Sequence, residues 1–542
     1  MQNKFSNYGV INYWGKNELM DLIDNHSNYI RNLILVIIPF YLVAFWVQKN
    51  LPLHGDVNYL INIANFILSG KKYGIDFFET NPPMISYLYF PVLSLVKLTN
   101  LNIAICLKVY VFLLSFCTLL LSLYSLKKIV KNSIVLNIFI STMLFAILLL
   151  PINQFGQREH LFFILILPYL FSAVLRLNDT RLPFLYAVIV GLFAGLGFGI
   201  KPYFLFPLVF IEFYFILKRK SMWGWVRVES LLIMVMLVTY LLSTIIFFPT
   251  YFTIVLPLIN KFYFIGVQEP LNMMLSNVFV IFSIVSFFSC FILFRVSPHH
   301  RLLKTILMLS LGGFLVGLIA TRTSWYYHSI PAYSMACMLL GLYFGEFVAN
   351  SISRSSSNIY IFLEYVFITI AGLMLFYIPL SYTRFYSLYY SNQAISSDLA
   401  KLTSYIASQP GEHSVVCFSA NTTGDCFPLT LSSQSSYGSR YPFFWWMRGL
   451  VLTLNDSHIS KKEKEMNKNY FSESLANDLD HFQARWVIIN TYVAHVIFGD
   501  DFSFITFFSD NKNFHDAWSH YRIKSKIGVY EIYERISNVR SA

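Results

Sequence analysis

The chain of 542 residues is 56% hydrophobic and 18% aromatic, with only 13% charged residues and a net charge of +12. Soluble globular domains carry about 25% charged residues, so this composition excludes intrinsic disorder and an ordinary soluble enzyme. The positive charge does not point to a nucleic-acid partner either: residues 381–542 hold 15 Lys/Arg and 15 Asp/Glu, while residues 1–380 hold 25 and 13. The apolar part is the basic part, which is a membrane-topology signal.

Residues 1–30 are polar and read as a cytoplasmic N-terminal segment. The first apolar run follows them and reads as an uncleaved signal anchor. Apolar windows of about 17–25 residues predict membrane helices. Eleven such windows, some of them short, lie near 31–48, 102–126, 133–151, 160–177, 183–200, 203–217, 229–248, 274–294, 305–321, 328–348 and 358–380. With the N-terminus inside, 16 Lys/Arg fall on inner segments and nine on the longer outer ones. That bias orients the chain and puts residues 381–542 outside. The fold class expected is a polytopic α-helical membrane protein of about eleven spans, residues 31–380, carrying an extracytoplasmic α/β domain, residues 381–542. Its place is the plasma (inner) membrane of the cell envelope.

The first outer loop, 49–101, is too long for a plain turn. Tyr59, Leu60, Ile63, Ile67 and Leu68 recur at helical spacing, and residues 84–97 form a second apolar segment after Pro82-Pro83. Both predict short helices in the membrane interface. Asp56 stands at the expected N-cap of the first. It reads either as a cap, worth about 1 kcal/mol, or as a carboxylate beside His54 that takes a proton or binds a cation.

Later outer turns repeat this pattern of few but concentrated polar groups. Arg158, Glu159 and His160 are consecutive at a helix start. Charges at membrane depth are costly and usually functional, although a solvated turn would also hold them. Lys201 follows a Gly-rich helix end and precedes Pro202, as a snorkelling lysine or a fixed cation for a lipid phosphate. Arg322, Trp325, Tyr326, Tyr327 and His328 make another turn, an aromatic belt or part of a site.

In the C-terminal region, strands are predicted at Ser414–Phe418, Trp486–Asn490, Tyr521–Lys526 and Gly528–Tyr533, and helices at 394–408 and 460–481. Cys417 and Cys426 are suited to a disulfide on the oxidising side of the membrane. Cys106, Cys117, Cys290 and Cys337 fall within helices as small apolar fillers. Asn421-Thr422-Thr423 fits a glycosylation sequon. The aromatic run RYPFFWWMRG, 440–449, meets either a lipid or sugar or the helical bundle.

The pattern D-x2-Y-x4-A-x2-I-L-S-G-x2-Y-x2-D-x4-N-P-P beginning at Asp56 resembles the first outer loop of the GT-C glycosyltransferases. It is nearest the branch of the dolichyl-phosphate-mannose protein mannosyltransferases and the lipid A aminoarabinose transferase. Glu159, Lys201-Pro202, Arg322 and Tyr327-His328 resemble further positions of that branch, over about residues 31–350. Two features depart from it: Val57 stands where a second acid often follows the first, and Arg158-Glu159-His160 is unusually charged.

The resemblance implies a polyprenyl-phosphate-linked sugar donor, inverting transfer at the extracytoplasmic surface, and a lipid, glycan or protein acceptor. It makes Asp56 the base and Glu159 a positioning carboxylate. Lys201, Arg322, Arg158, His328, Lys71 and Lys72 become donor-phosphate candidates, and His54, Tyr59 and Tyr327 substrate-lining ones. The resemblance names no definite cofactor and leaves a divalent cation open. A transporter or flippase of lipid-linked glycans is the alternative from another class, and a glycan polymerase a third. The clustering of charge at the outer surface and the lack of a clear internal repeat favour the transferase.

Overall fold

The computed structural model describes residues 34–49, 51–323, 325–354, 377, 379–384, 397–420 and 426–536. The bundle begins with α1 (Ile34–Lys49). It continues with α2 (Gly55–Leu68), α3 (Met84–Thr99), α4 (Ile103–Ile129) and α5 (Ser133–Leu144), which runs on as a π turn through Leu149. Then come α6 (Arg158–Leu177), α7 (Phe184–Phe198), α8 (Leu205–Arg219) and α9 (Val228–Phe247). A helix with two π turns, α10 (Tyr251–Val267), follows, and α11 (Val278–Val296), α12 (Arg301–Thr321) and α13 (Tyr326–Arg354) close the series.

Six of these, α4, α6, α9, α11, α12 and α13, are long and apolar enough to cross a membrane. Ten of the eleven expected windows coincide with helices, and α1, α5, α7 and α8 are the shorter ones. The eleventh window, 358–380, falls almost entirely outside the described residues, as do the segment 1–30 and Asn421-Thr422-Thr423. Helix α6 is the axis of the bundle: its apolar window is 94% buried, and it packs against α4, α7, α12 and α13. A helix apolar all round is stable only inside such a packing, so its polar first turn is delivered to the end of a dry core.

Both loop helices form where the apolar stripes predict them. Asp56 is not the cap of α2, however. His54 is, its Nδ1 accepting from Asp56 N at 3.2 Å, and Asp56 lies in the first turn. A carboxylate there still gains from the helix dipole, but its oxygens are released from capping.

The C-terminal region builds a five-stranded sheet in the order β2-β1-β3-β5-β4. Its strands are β1 (Ser414–Phe418), β2 (Ser436–Tyr437), β3 (Trp486–Asn490), β4 (Tyr521–Ile527) and β5 (Tyr530–Arg535). β1 runs parallel to β2 and β3, while β5 is antiparallel to β3 and β4. The terminal hairpin turns one or two residues later than the sequence suggests, because Gly528 takes the left-handed φ of 54°. Helices occupy Ser397–Ser408 and Lys461–Phe482, as expected. A disulfide joins Cys417 and Cys426.

This unit is seated on the bundle. The helix Cys426–Ser432 packs on α2, with Tyr59 and Phe427 rings 4.8 Å apart. Gly449 meets α10 so closely that a Cβ there would lie 1.9 Å from the Phe262 carbonyl oxygen. The aromatic run 440–449 is therefore a contact with the bundle, and part of it does more.

Candidate active site

A cavity of about 510 Å³ lies between the α2–α3 loop, the starts of α6 and α13, the α7–α8 turn, α10 and the C-terminal unit. Asp56, Tyr59, Glu79, Arg158, Lys201, Tyr203, Tyr327 and His328 are among its lining residues.

The turn before α6 sets its charged residues. Gly156 adopts a φ of 83°, a conformation a side chain would strain. Its carbonyl accepts from Tyr89 Oη at 2.7 Å, and its N–H donates to His160 Nδ1 at 3.0 Å. His160 Nε2 then donates to the Ile147 carbonyl at 2.7 Å. His160 is thus spent on fixing the turn. Successive helical residues point about 100° apart, and the triplet is divided accordingly: Arg158 enters the cavity, Glu159 turns behind it, and His160 holds the backbone.

Arg158 spans two carboxylates, with one guanidinium nitrogen 3.6 Å from Asp56 Oδ2 and the other 3.6 Å from Glu79 Oε1. Its Nε is buried with no hydrogen-bond partner among the described residues. Gln157 Nε2 donates to Asp56 Oδ2 at 3.3 Å. Glu79 Oε1 accepts from Asn81 N at 2.9 Å and Asn81 Nδ2 at 2.6 Å, which locks the loop ahead of Pro82-Pro83. Burial holds His54 below its usual imidazole range, against the pull of Asp56. The neutral ring can therefore accept from the backbone.

Lys201 stands at the α7–α8 turn and forms a buried ion pair with Glu159. Its ammonium also donates to Tyr203 Oη at 2.8 Å and reaches His328 Nε2 at 3.5 Å. A charged lysine only donates, so His328 Nε2 accepts, and Nδ1–H points to Thr323 Oγ1 at 2.5 Å. Burial, with Arg158 beside it, pushes the Lys201 ammonium down to about 8, although Glu159 pulls the other way.

The expected residues are not all gathered. Asp56, Arg158, Lys201, His328, Tyr59 and Tyr327 line the cavity. His54 stands beside it, 6.5 Å from the Tyr327 ring. Glu159 is fully buried under Lys201 and does not line the cavity, so it has no path to an acceptor. Arg322 is exposed at the C-cap of α12, flanked by Thr321 and Thr323, which do line the cavity. Lys71 and Lys72 are exposed on the turn after α2, with Lys71 over the Phe66 ring, and neither lines the cavity.

Glu79 was missed by the sequence reading. Its signal was an acid set between Phe77-Phe78 and Asn81-Pro82-Pro83 in an apolar loop. The connection 249–273 was also passed over, yet Tyr251, Tyr263 and Phe264 of α10 line the cavity.

The guanidinium of Arg158 lies between Asp56 and Glu79. Among the described residues no three His, Cys, Asp or Glu side chains converge as a metal site. No step below passes through a metal.

No family model matches the chain, and no curated protein matches it in sequence. Its fold does match solved structures. The crystal structure of ArnT from Cupriavidus metallidurans bound to undecaprenyl phosphate is 10% identical, with 93% of this chain and 99% of that chain covered and a TM-score of 0.54. The same protein in the apo state gives 0.52 at 10% identity, covering 94% and 98%. The archaeal oligosaccharyltransferase AglB from Archaeoglobus fulgidus, in complex with an inhibitory peptide and a dolichol-phosphate, gives 0.46 at 10% identity, covering 94% and 74%. The chain therefore has the fold of ArnT across nearly its whole length, the GT-C fold that its first-loop pattern resembles.

Proposed function

We propose that the protein is an integral-membrane glycosyltransferase that moves a sugar from a polyprenyl-phosphate donor to a lipid, glycan or protein acceptor. In this reading residues 31–380 form the catalytic membrane domain and residues 381–542 an extracytoplasmic domain, with residues 1–30 cytoplasmic. One observation carries it: a carboxylate, Asp56, and two cations, Arg158 and Lys201, share one largely apolar cavity at the end of a membrane-type bundle. The undecaprenyl phosphate in the ArnT structure supports a lipid-phosphate donor.

The acceptor hydroxyl attacks the anomeric carbon while Asp56 takes its proton. The bond from that carbon to the phosphate oxygen breaks, and polyprenyl phosphate leaves with the electron pair. A single displacement of this kind inverts the anomeric centre. Polyprenyl phosphate is a good leaving group, so one base suffices, unlike the paired carboxyl groups of glycoside hydrolysis. Arg158 and Lys201 stabilise the charge that develops on the phosphate. The unpartnered Arg158 Nε and the long Lys201–His328 contact leave donors for its oxygens. Glu159, Tyr203 and His328 position Lys201. Phe206, Leu256 and Phe264 give the cavity an apolar flank for the first isoprene units.

The test is transfer by the purified protein in liposomes, together with mass spectrometry of surface glycans from cells with and without the gene. Loss of one sugar from one glycan class in the deletion is expected. Identical glycans and no turnover of any polyprenyl-phosphate sugar would overturn the reading.

A further inference from the structure

One wall of the cavity has no role in the mechanism above. It comes from the C-terminal unit, which contributes Pro442, Phe443 and Trp445 to the lining. The segment is anchored at its start. Ser439 Oγ donates to Asp478 Oδ2 at 2.8 Å, and Arg440 donates to the same oxygen through its N–H at 3.0 Å and to Oδ1 through Nε at 2.6 Å. Arg440 in turn accepts, through its carbonyl, from Phe78 N at 2.8 Å. Phe78 directly precedes Glu79, so the wall and the carboxylate loop are held as one piece. The Trp445 ring sits 5.4 Å from Phe78 and 5.8 Å from Tyr263.

Trp445 is 3% exposed, and its indole N–H has no hydrogen-bond partner among the described residues. Buried indole N–H groups usually find a partner, and an unmet donor is unfavourable until a ligand oxygen meets it. Trp446 and Trp486 also lack a partner but do not line the cavity.

A sugar has the matching chemistry, with an apolar C–H face and a rim of oxygens. In the donor it is joined directly to the phosphate, so a phosphate held by Arg158 and Lys201 puts the ring inside this same cavity. We propose that Trp445 and Phe443 form the donor-sugar subsite, their rings packing on the C–H face and the Trp445 N–H donating to a sugar oxygen. This rests on the polyprenyl-phosphate reading above and assigns the C-terminal unit a part in the site.

The experiment measures binding to the full chain in nanodiscs, using undecaprenyl phosphate alone and undecaprenyl phosphate carrying glucose, mannose, galactose, N-acetylglucosamine or 4-amino-4-deoxyarabinose. The wild type should bind at least one charged lipid more tightly than the bare one. Trp445→Phe keeps a ring and removes the N–H. It should weaken that charged lipid by about 5- to 10-fold and leave undecaprenyl phosphate within about twofold. Phe443→Leu, which keeps bulk and removes the ring, should show the same selectivity. Equal weakening of both lipids, or no change in either, would overturn the subsite. A wild type that binds no undecaprenyl phosphate would instead remove the donor reading on which it rests.

Discussion

Two groups of buried ions sit at opposite ends of α12 and α13, about 30 Å apart by helix length. At one end, Glu346 is saturated: Oε1 meets His300 Nδ1 at 2.8 Å, and Oε2 accepts from Lys304 Nζ and Ser297 Oγ, each at 2.6 Å. At the other end, Arg158 reaches Asp56 and Glu79 at 3.6 Å each, and its Nε has no partner among the described residues. Both groups are largely buried, and the second lines the cavity described above. Short and complete bonds are what a folded bundle needs in order to bury charge at all. Incomplete bonding is not unique to the second group, since Glu212 Oε2 and Arg227 Nη1 are also buried without a partner among the described residues, so it is the cavity beside Arg158 that marks that group as a candidate site.

The comparison breaks first at Asp56. Asp56→Asn keeps shape and removes the base, so transfer should fall by about 10²–10⁴-fold with normal membrane insertion. Full activity in that variant would show the carboxylate to be structural, like Glu346. The next effect is at Lys201. Lys201→Ala should raise the apparent donor KM by about 10- to 100-fold, the worth of charged hydrogen bonds, with a smaller change in kcat. Its pH dependence follows from the ammonium being the form that binds phosphate. With its pKa pushed down to about 8, that form is present below this pH and lost above it. The wild-type donor KM should therefore climb above about pH 8, while that of Lys201→Ala stays high throughout. A wild-type KM flat from pH 7 to 9 would remove Lys201 from the donor site.

The bundle was legible in the sequence because membrane helices are written in composition, and ten of eleven windows coincide with helices. Four of the five C-terminal strands and the Cys417–Cys426 disulfide were legible from local pattern as well, while the two-residue β2 was too short to carry one. What could not be read was direction. Arg158, Glu159 and His160 are equivalent in a sequence, and only the packing of α6 sends one to the cavity and two behind it. Glu79 depends on Pro82-Pro83 and on Arg440, whose sequence separation no local pattern spans. Lys71 and Lys72 were drawn in by charge alone, yet both are exposed and neither lines the cavity. The cap of α2 passed from Asp56 to His54 for a related reason. A neutral imidazole held below its usual range by burial can accept a backbone N–H, a property that arises only after folding.

The remaining predictions test the quiet side of the comparison. Glu346→Gln leaves Lys304, which is fully buried, without its counter-charge. Breaking a buried pair from one side costs on the order of 3–5 kcal/mol. Thermal stability in detergent should fall, while the donor KM of the protein that remains folded should match the wild type. A raised KM would mean that the two ends are coupled through α12 and α13. The smallest effect is expected from Lys71→Ala with Lys72→Ala. Both side chains are exposed and neither lines the cavity, so transfer should stay within about twofold at physiological salt, where exposed charges are screened over about 8 Å. A larger loss that vanishes at high salt would reveal long-range attraction of an anionic substrate. A loss that persists at high salt would place these lysines in direct contact with it, and the boundary of the site would have to be redrawn around the turn after α2.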